Sequence, residues 1–309
     1  MLNIYMTENG VLNEVTTLQP GVWVKLTTPD AEENQQIVNH YGIDYGDLVA
    51  ALDDEESSRI EVEDNYTLIL VDIPITEIRN DEEYYTTIPL GIIVTEDAVI
   101  TVCRQEVEIF EKNLRFKMRN FSTKKRMRFV YHLLYSIARL YLYDLRIIDK
   151  NRTEIEERAG DNGTLDDDII SLHELESSLV YFATSLRANN MVITRLMRQN
   201  NFPEDEELIE DTIIENNQAI EMTTIYRDII DSTRELISAV MDNRLNNVMK
   251  YLTSITLVMA IPTVISGIYG MNVKWLPFAG TIHGFGIVCA ATLVICLITM
   301  WILKRKKML

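Results

Sequence analysis

Two stretches of this chain contain no charged side chain: 23 residues between Lys250 and Lys274, and 29 between Lys274 and Lys304. A helix needs about 20 residues to cross a hydrocarbon core roughly 30 Å thick, so each stretch is long enough for one span. Two core helices of a soluble protein would be the other reading, but it leaves the flanking bases unexplained. Uncharged runs of this length in succession, bounded by Lys and Arg, read as a transmembrane hairpin. Residues 251–309 are therefore expected to form that hairpin, its outer loop and a basic C-terminus. Everything before them must fold as a body outside the bilayer.

The charges divide at the same place. All 47 Asp and Glu precede residue 251, whereas five of the 29 Lys and Arg follow it (Lys274, Lys304, Arg305, Lys306 and Lys307). The other 24 bases against 47 acids give residues 1–250 a net charge of −23. A body that acidic repels nucleic acid and concentrates cations. Arg244 and Lys250 precede the first span and four bases follow the second, while the connecting loop GMNVKWLPFAGTIHG holds only Lys274. The excess of bases at the ends places both termini in the cytoplasm and the loop outside. Trp275 and Trp301 then fit as aromatic anchors at opposite interfaces. The Asn-x-Ser/Thr sequences at Asn65, Asn120, Asn151 and Asn162 become chance matches on the cytoplasmic side.

MLNIYMTENG has neither a basic n-region nor an apolar h-region, so no cleaved signal peptide is expected. Cys103, Cys289 and Cys296 show no CxxC spacing, and His40, His132, His173 and His283 are scattered. That pattern suggests neither a disulfide framework nor a metal-ligating motif. No GxxxxGK[ST] signature for ATP and no nucleophile–base pair is visible, so an enzyme is not expected and no organic cofactor is implied.

The body reads in two parts. An α/β domain is expected over 1–120, with β-like runs GVWVKLT, YTLILVDIPI, TTIPLGIIV and DAVITVC and a helical pattern around Ala31–Leu52. A helical region is expected over 121–250, broken at GDNGT (160–164) and NNFPED (200–205). Each break carries helix-start chemistry: Thr164 three residues before Asp167, and Pro203 followed by acids. From Pro203 no proline or glycine recurs until Pro262. The helix beginning there, a stalk over about 203–250, is thus expected to run unbroken into the first span, roughly 100 Å in all.

Read every seventh residue, that helix gives Glu221, Asp228, Glu235, Asp242, Met249, Thr256, Thr263 and Gly270. The row is acidic outside the membrane and uncharged within it. Its companions Ala239, Asn246, Thr253, Ala260 and Gly267 are small or polar. A solvated acidic face is one reading. A lining of an axis shared by several copies is the other, in which acids, then hydroxyls and amides, mark a cation path. A straight helix drifts about 20° per heptad, so the whole row shares one face only with supercoiling.

NNVMKYLTSITLVMAIPTVISGIYGMNVKW resembles the stalk end, first span and signature loop of the CorA family of magnesium transport proteins. The signature is Gly270, Met271 and Asn272, preceded by Tyr269. Asn246 to Lys250 at the membrane boundary, an early Trp23 to Leu26 run and Tyr66 leading a strand extend the likeness over essentially the whole chain. The resemblance implies a funnel-shaped homopentamer in the plasma membrane: an α/β cytoplasmic domain, a long stalk helix and two transmembrane helices per subunit. It implies channel-like influx of Mg2+, with Co2+ and Ni2+ also permitted, driven by the membrane potential. The pore positions carried over are Asn272 at the outer mouth, then Thr263, Leu252, Met249, Asn246 and Glu235, with Met249 and Leu252 as the hydrophobic constriction. Regulatory Mg2+ is implied at acidic sites between subunits, carried over to Asp211 with Glu77 as its partner.

Mg2+ demands octahedral oxygen ligation and sheds water reluctantly. A ring of Asn272 amides beside Gly270 carbonyls can hold the ion with its waters, and Tyr269 can brace Asn272 or serve simply as an interfacial aromatic. Many family members carry an acid after the loop proline, whereas here Phe278, Ala279 and Gly280 follow Pro277 and Lys274 adds a base. A zinc transporter of the same superfamily is the first alternative, against which Met271 argues. A non-conducting, membrane-anchored metal sensor is the second; it has no need of hydroxyls and amides at seven-residue spacing.

Overall fold

β-Branched runs that alternate with period two build one sheet and bury both its faces. The computed structural model describes residues 1–8, 11–79, 82–107, 122–160, 165–199, 203–273, 276–278, 280–306 and 308. The strands are β1 (Leu2–Glu8), β2 (Val11–Val15), β3 (Val22–Thr27), β4 (Arg59–Val62), β5 (Tyr66–Arg79), β6 (Glu82–Thr95) and β7 (Ala98–Cys103). They form a seven-stranded sheet in the order β2-β1-β3-β7-β6-β5-β4, in which only the central β3–β7 pair is parallel. All four expected β runs lie in strands. The β1–β2 hairpin and β4 were not expected, although Asn9-Gly10 is a hairpin-turn dipeptide that marks the first of them.

Even-numbered residues Val22, Val24, Leu26, Leu68, Leu70, Ile100 and Val102 pack with Ile37, Leu48 and Ala51 in one core. These last come from α1 (Ala31–Tyr41), α2 (Tyr45–Val49) and a short turn of 3-10 helix. Asp30 opens α1 with a capping box, its side chain accepting from the Glu33 N–H while Glu33 reaches back. The opposite face of the sheet packs on α3 (Arg126–Gly160) and α4 (Leu165–Gln199). Trp23 stacks 5.3 Å from Phe129 of α3 and donates its indole N–H to Thr101 Oγ1. Tyr141 meets Phe182 edge-on at 5.0 Å and donates to the Asp72 carbonyl, which also accepts from Asn189. Thr164 and residues 200–202 lie outside the described residues. A 3-10 turn at Pro203–Asp205 then leads into α5 (Glu206–Tyr269), 64 residues in one element that continues into the first apolar stretch. The last helix is α6 (Gly284–Arg305).

The chain divides into two compact units, Met1–Arg234 and Glu235–Leu309. The second is the C-terminal part of α5, the loop and α6. Its two helices are long and apolar enough to cross a membrane, and only 6% of each apolar window is buried. Core helices of a soluble protein would be mostly covered.

Asp144, on α3, is 6% exposed. Burial, followed by the charge of Glu83, pushes its carboxyl from 3.8 up to about 7. The native state therefore holds this proton more tightly than the unfolded chain does. Stability is fully present below about pH 4 and declines as pH rises towards about 7. Asp144→Asn should remove that decline, so that thermal unfolding of the detergent-solubilised protein changes less across this window than in wild type. Equal slopes would show that Asp144 is not the titrating group.

Candidate functional site

Along the membrane part of α5 the side chains divide into two sets. Ser254, Val258, Ile261, Ile265 and Tyr269 are buried or half-buried, whereas Glu235, Asp242, Asn246, Met249, Leu252, Thr256, Thr263 and Gly270 are exposed. At 3.6 residues per turn the two sets centre roughly 160° apart round the helix. The covered set faces α6, whose own shielded residues are Val288, Thr292, Cys296, Thr299 and Leu303. Two bonds pin the pair: Ser254 Oγ donates to the Met308 carbonyl at 2.9 Å, and Cys296 Sγ lies 3.9 Å from the Val258 carbonyl. The second has a cause in the sequence. Pro262 lacks an N–H and so leaves the Val258 carbonyl without its helical donor.

The row read from heptad spacing lies within the part of α5 that α6 leaves uncovered, a surface that also presents Ile255, Leu257, Met259, Val264 and Ile268. Thr256 and Thr263 donate back to the carbonyls of Leu252 and Met259, at 2.8 and 2.9 Å. Their protons are satisfied within the helix while the oxygen lone pairs remain free to accept from outside it. Met249 and Leu252 are 52% and 58% exposed on this face. Nearer the body, Glu221 and Asp228 are exposed on α5 as well.

The helix ends in the signature. The Gly270 N–H bonds the Ser266 carbonyl, the Met271 N–H bonds Ile268 three residues back, and the Val273 N–H folds onto Met271. The spiral tightens and then releases, with Gly270, Met271 and Asn272 all exposed. Among the described residues the Asn272 carboxamide has no hydrogen-bond partner. Tyr269 does not brace it: its hydroxyl donates to the Pro277 carbonyl at 2.9 Å, tying the helix end to the returning loop. Lys274 and Trp275 lie outside the described residues. The return is a tight turn in which Phe278 has φ 61° and its carbonyl accepts from both the N–H and the hydroxyl of Thr281. Gly284 follows, and a Cβ there would sit 2.0 Å from the Phe278 carbonyl oxygen. Sequence reasoning missed this glycine and the Tyr269 link; the one signal was a glycine placed directly before an apolar run. Below the loop an apolar groove of about 860 Å3 opens between the helices beside Ile265, Tyr269 and Phe285. Its lining suits hydrocarbon, not an ion.

The regulatory candidates are not brought together in one chain. Asp211 is exposed on α5, on the side away from buried Ile209 and Thr212. Glu77, on β5, accepts from both Nε and Nη2 of Arg79, whose guanidinium also lies 4.0 Å over the Tyr84 ring. Among the described residues no group of three His, Cys, Asp or Glu side chains is arranged to hold a metal.

Comparison with known proteins follows the same plan. The family model described as CorA-like Mg2+ transporter protein matches residues 19–305. The chain is 31% identical over 297 residues to a cobalt/magnesium transport protein of Methanocaldococcus jannaschii, covering 92% of this chain and 90% of that one. It is 23% identical over 269 residues to a magnesium transport protein of Helicobacter pylori, 83% of this chain and 80% of the other. The complete structure of the CorA magnesium transporter from Methanocaldococcus jannaschii superposes with a TM-score of 0.82 at 26% identity, covering 99% and 98% of the two chains.

The turn geometry makes a test with an internal control. Gly284→Ala should disrupt the loop return, seen as a lower melting temperature and added protease sensitivity near Phe278. Gly286→Ala, where an added Cβ meets nothing within 4 Å, should leave both unchanged. Equal tolerance at the two glycines would show that the turn is not constrained as described.

Proposed function

The chain belongs to the family of CorA-like Mg2+ transporter proteins, and from that membership we propose that it is a homopentameric, channel-like Mg2+ importer gated by cytoplasmic Mg2+. Members of the family are divalent-cation transporters and not enzymes. The proposed setting is the plasma membrane, with both termini cytoplasmic and the signature loop outside. The observation that carries the reading is the uncovered polar face of α5, opposite the face packed on α6 and ending at exposed Asn272.

With five such faces around one axis, the uncovered side chains line the path in an order that suits a strongly hydrated cation. At the mouth, Asn272 carboxamides accept hydrogen bonds from the ion's water shell, so the ion is selected without stripping ligands that it gives up reluctantly. Neutral oxygens hold it weakly enough for release. Thr263 and Thr256 offer further lone pairs down the span. Leu252 and Met249 form a narrow apolar belt that excludes the hydrated ion unless the helices part. Below it, Asn246, Asp242 and Glu235 draw the cation into the cytoplasm. The drive is electrical, about 2.3 kcal/mol per charge per 100 mV and hence roughly twice that for a divalent ion.

Closure in this account is a charge effect at the subunit boundary. Asp211 faces out from its own chain, and a divalent ion bridging it to a neighbour's carboxylates holds the subunits together. Arg79 engages Oε2 of Glu77 in the single chain and leaves Oε1 for such a site.

Ion flux into proteoliposomes under an imposed potential tests the function. Mg2+ influx that falls as internal Mg2+ rises is the expected result; Zn2+ flux without Mg2+ flux, or no flux of either, would overturn the proposal. Asn272→Ala should reduce Mg2+ influx by about tenfold or more while the oligomer still assembles, and unchanged influx would remove Asn272 from the mouth. Asp211→Lys should raise the internal Mg2+ needed for half-closure by about tenfold or more, a change of about 1.4 kcal/mol, and wild-type inhibition in patch recordings would reject that site.

A further inference from the structure

We propose that the end of α6 is a docking site for the phosphate headgroup of an anionic lipid, formed by Lys304, Arg305 and Lys306 beside Trp301. The inference rests on the membrane placement above, but concerns a ligand that the ion path does not use.

The three bases are consecutive and exposed. Residues 251–309 contain no Asp or Glu, and among the described residues none of the three bases is in an ion pair. Bases at a helix C-terminus favour its dipole and set topology, but both roles are served by a frayed, mobile tail. This tail is built instead. The Lys306 N–H bonds the Ile302 carbonyl and the Met308 N–H bonds the Leu303 carbonyl, each at 3.0 Å, a closure that folds the chain back at the helix end. Ser254, fully buried on α5, donates to the Met308 carbonyl and fixes the fold-back against the neighbouring helix. Leu303 is buried in the same corner.

Depth is set independently. Trp301 is 60% exposed, and the Arg305 guanidinium lies 5.5 Å from its ring centroid. An exposed Trp at the end of a span sits at the boundary between acyl chains and headgroups. A guanidinium held against that ring is therefore at headgroup level, with Lys304 and Lys306 on its two sides in sequence. Arg matches phosphate oxygens with two parallel N–H donors, whereas Lys adds point charge. A guanidinium held at that depth on a pinned helix end, with an exposed lysine on either side in sequence, matches a lipid phosphate, whose acyl chains remain in the bilayer beside the spans.

The test uses the purified full-length protein. Native mass spectrometry in an equimolar mixture of phosphatidylglycerol and phosphatidylcholine counts which lipid is retained. Wild type should retain phosphatidylglycerol selectively. With about 1 kcal/mol per base near an anionic surface, the preference should fall about fivefold in Lys306→Gln and on the order of a hundredfold in the triple variant Lys304→Gln, Arg305→Gln, Lys306→Gln. Lys304→Arg with Lys306→Arg should keep it. No preference in wild type, or a preference unaltered in both Gln variants, would overturn the proposal. Displacement of the lipid by millimolar inorganic phosphate would also overturn it, assigning the bases to a free anion. Resistance of the vesicle-bound protein to alkaline extraction reports membrane insertion separately: an inserted protein without lipid preference refutes this proposal alone, and an extractable one refutes the membrane placement.

Discussion

A helix in hydrocarbon must satisfy its own backbone, since no water is there to do it. Every feature of the C-terminal unit follows from how α5 meets that condition. Its hydroxyls donate to carbonyls one turn back, so polar side chains enter the span with their protons already bonded. Where Pro262 breaks the ladder, the carbonyl it leaves behind is met by a thiol from α6. Where the helix ends, glycine lets the spiral tighten and Tyr269 ties the exit to the loop. With those groups settled, α5 packs one face on α6 and leaves the opposite face, with its oxygens, uncovered, which is the face that the proposed ion path uses.

The acidic body contributes in a different way. Its sheet is covered on both faces, by α1 and α2 on one and by α3 and α4 on the other, with Trp23 and Tyr141 hydrogen-bonded inside. Such a platform is stiff, and its surface carries the net charge of −23 that concentrates cations. Asp211 belongs to that surface. In the proposed gating Asp211 would share its ion with a neighbouring subunit, so a change that parts the subunits would also open the site.

How much was legible depended on whether the signal was local. The spans were, because water-exposed helices rarely go 20 residues without a charge, and the course of α5 into the first span was, because no Gly or Pro lies between Pro203 and Pro262. The four expected strands were visible from Val and Ile alternation. Strand β4 was not: RIEV is short, and its register against β5 is fixed by tertiary pairing. The polar stripe could be read from seven-residue spacing, yet which face α6 would cover could not. That depends on packing by Ser254, Val258 and Cys296, residues with no shared chemistry. Gly284 and the Tyr269–Pro277 bond escaped for the same reason, since each is defined by an atom several residues away.

The central claim is that the uncovered face of α5 lines a water-filled path, and reagent access tests it most directly. Single cysteines at Thr256, Thr263, Val258 and Ile265, in a chain with Cys103, Cys289 and Cys296 replaced by alanine, would be exposed to a hydrophilic, membrane-impermeant thiol reagent during Mg2+ flux. The account predicts that cysteines at Thr256 and Thr263 react and block flux, while those at Val258 and Ile265, packed on α6, remain unmodified. Equal reaction on both faces, or reaction confined to the α6 side, would contradict it.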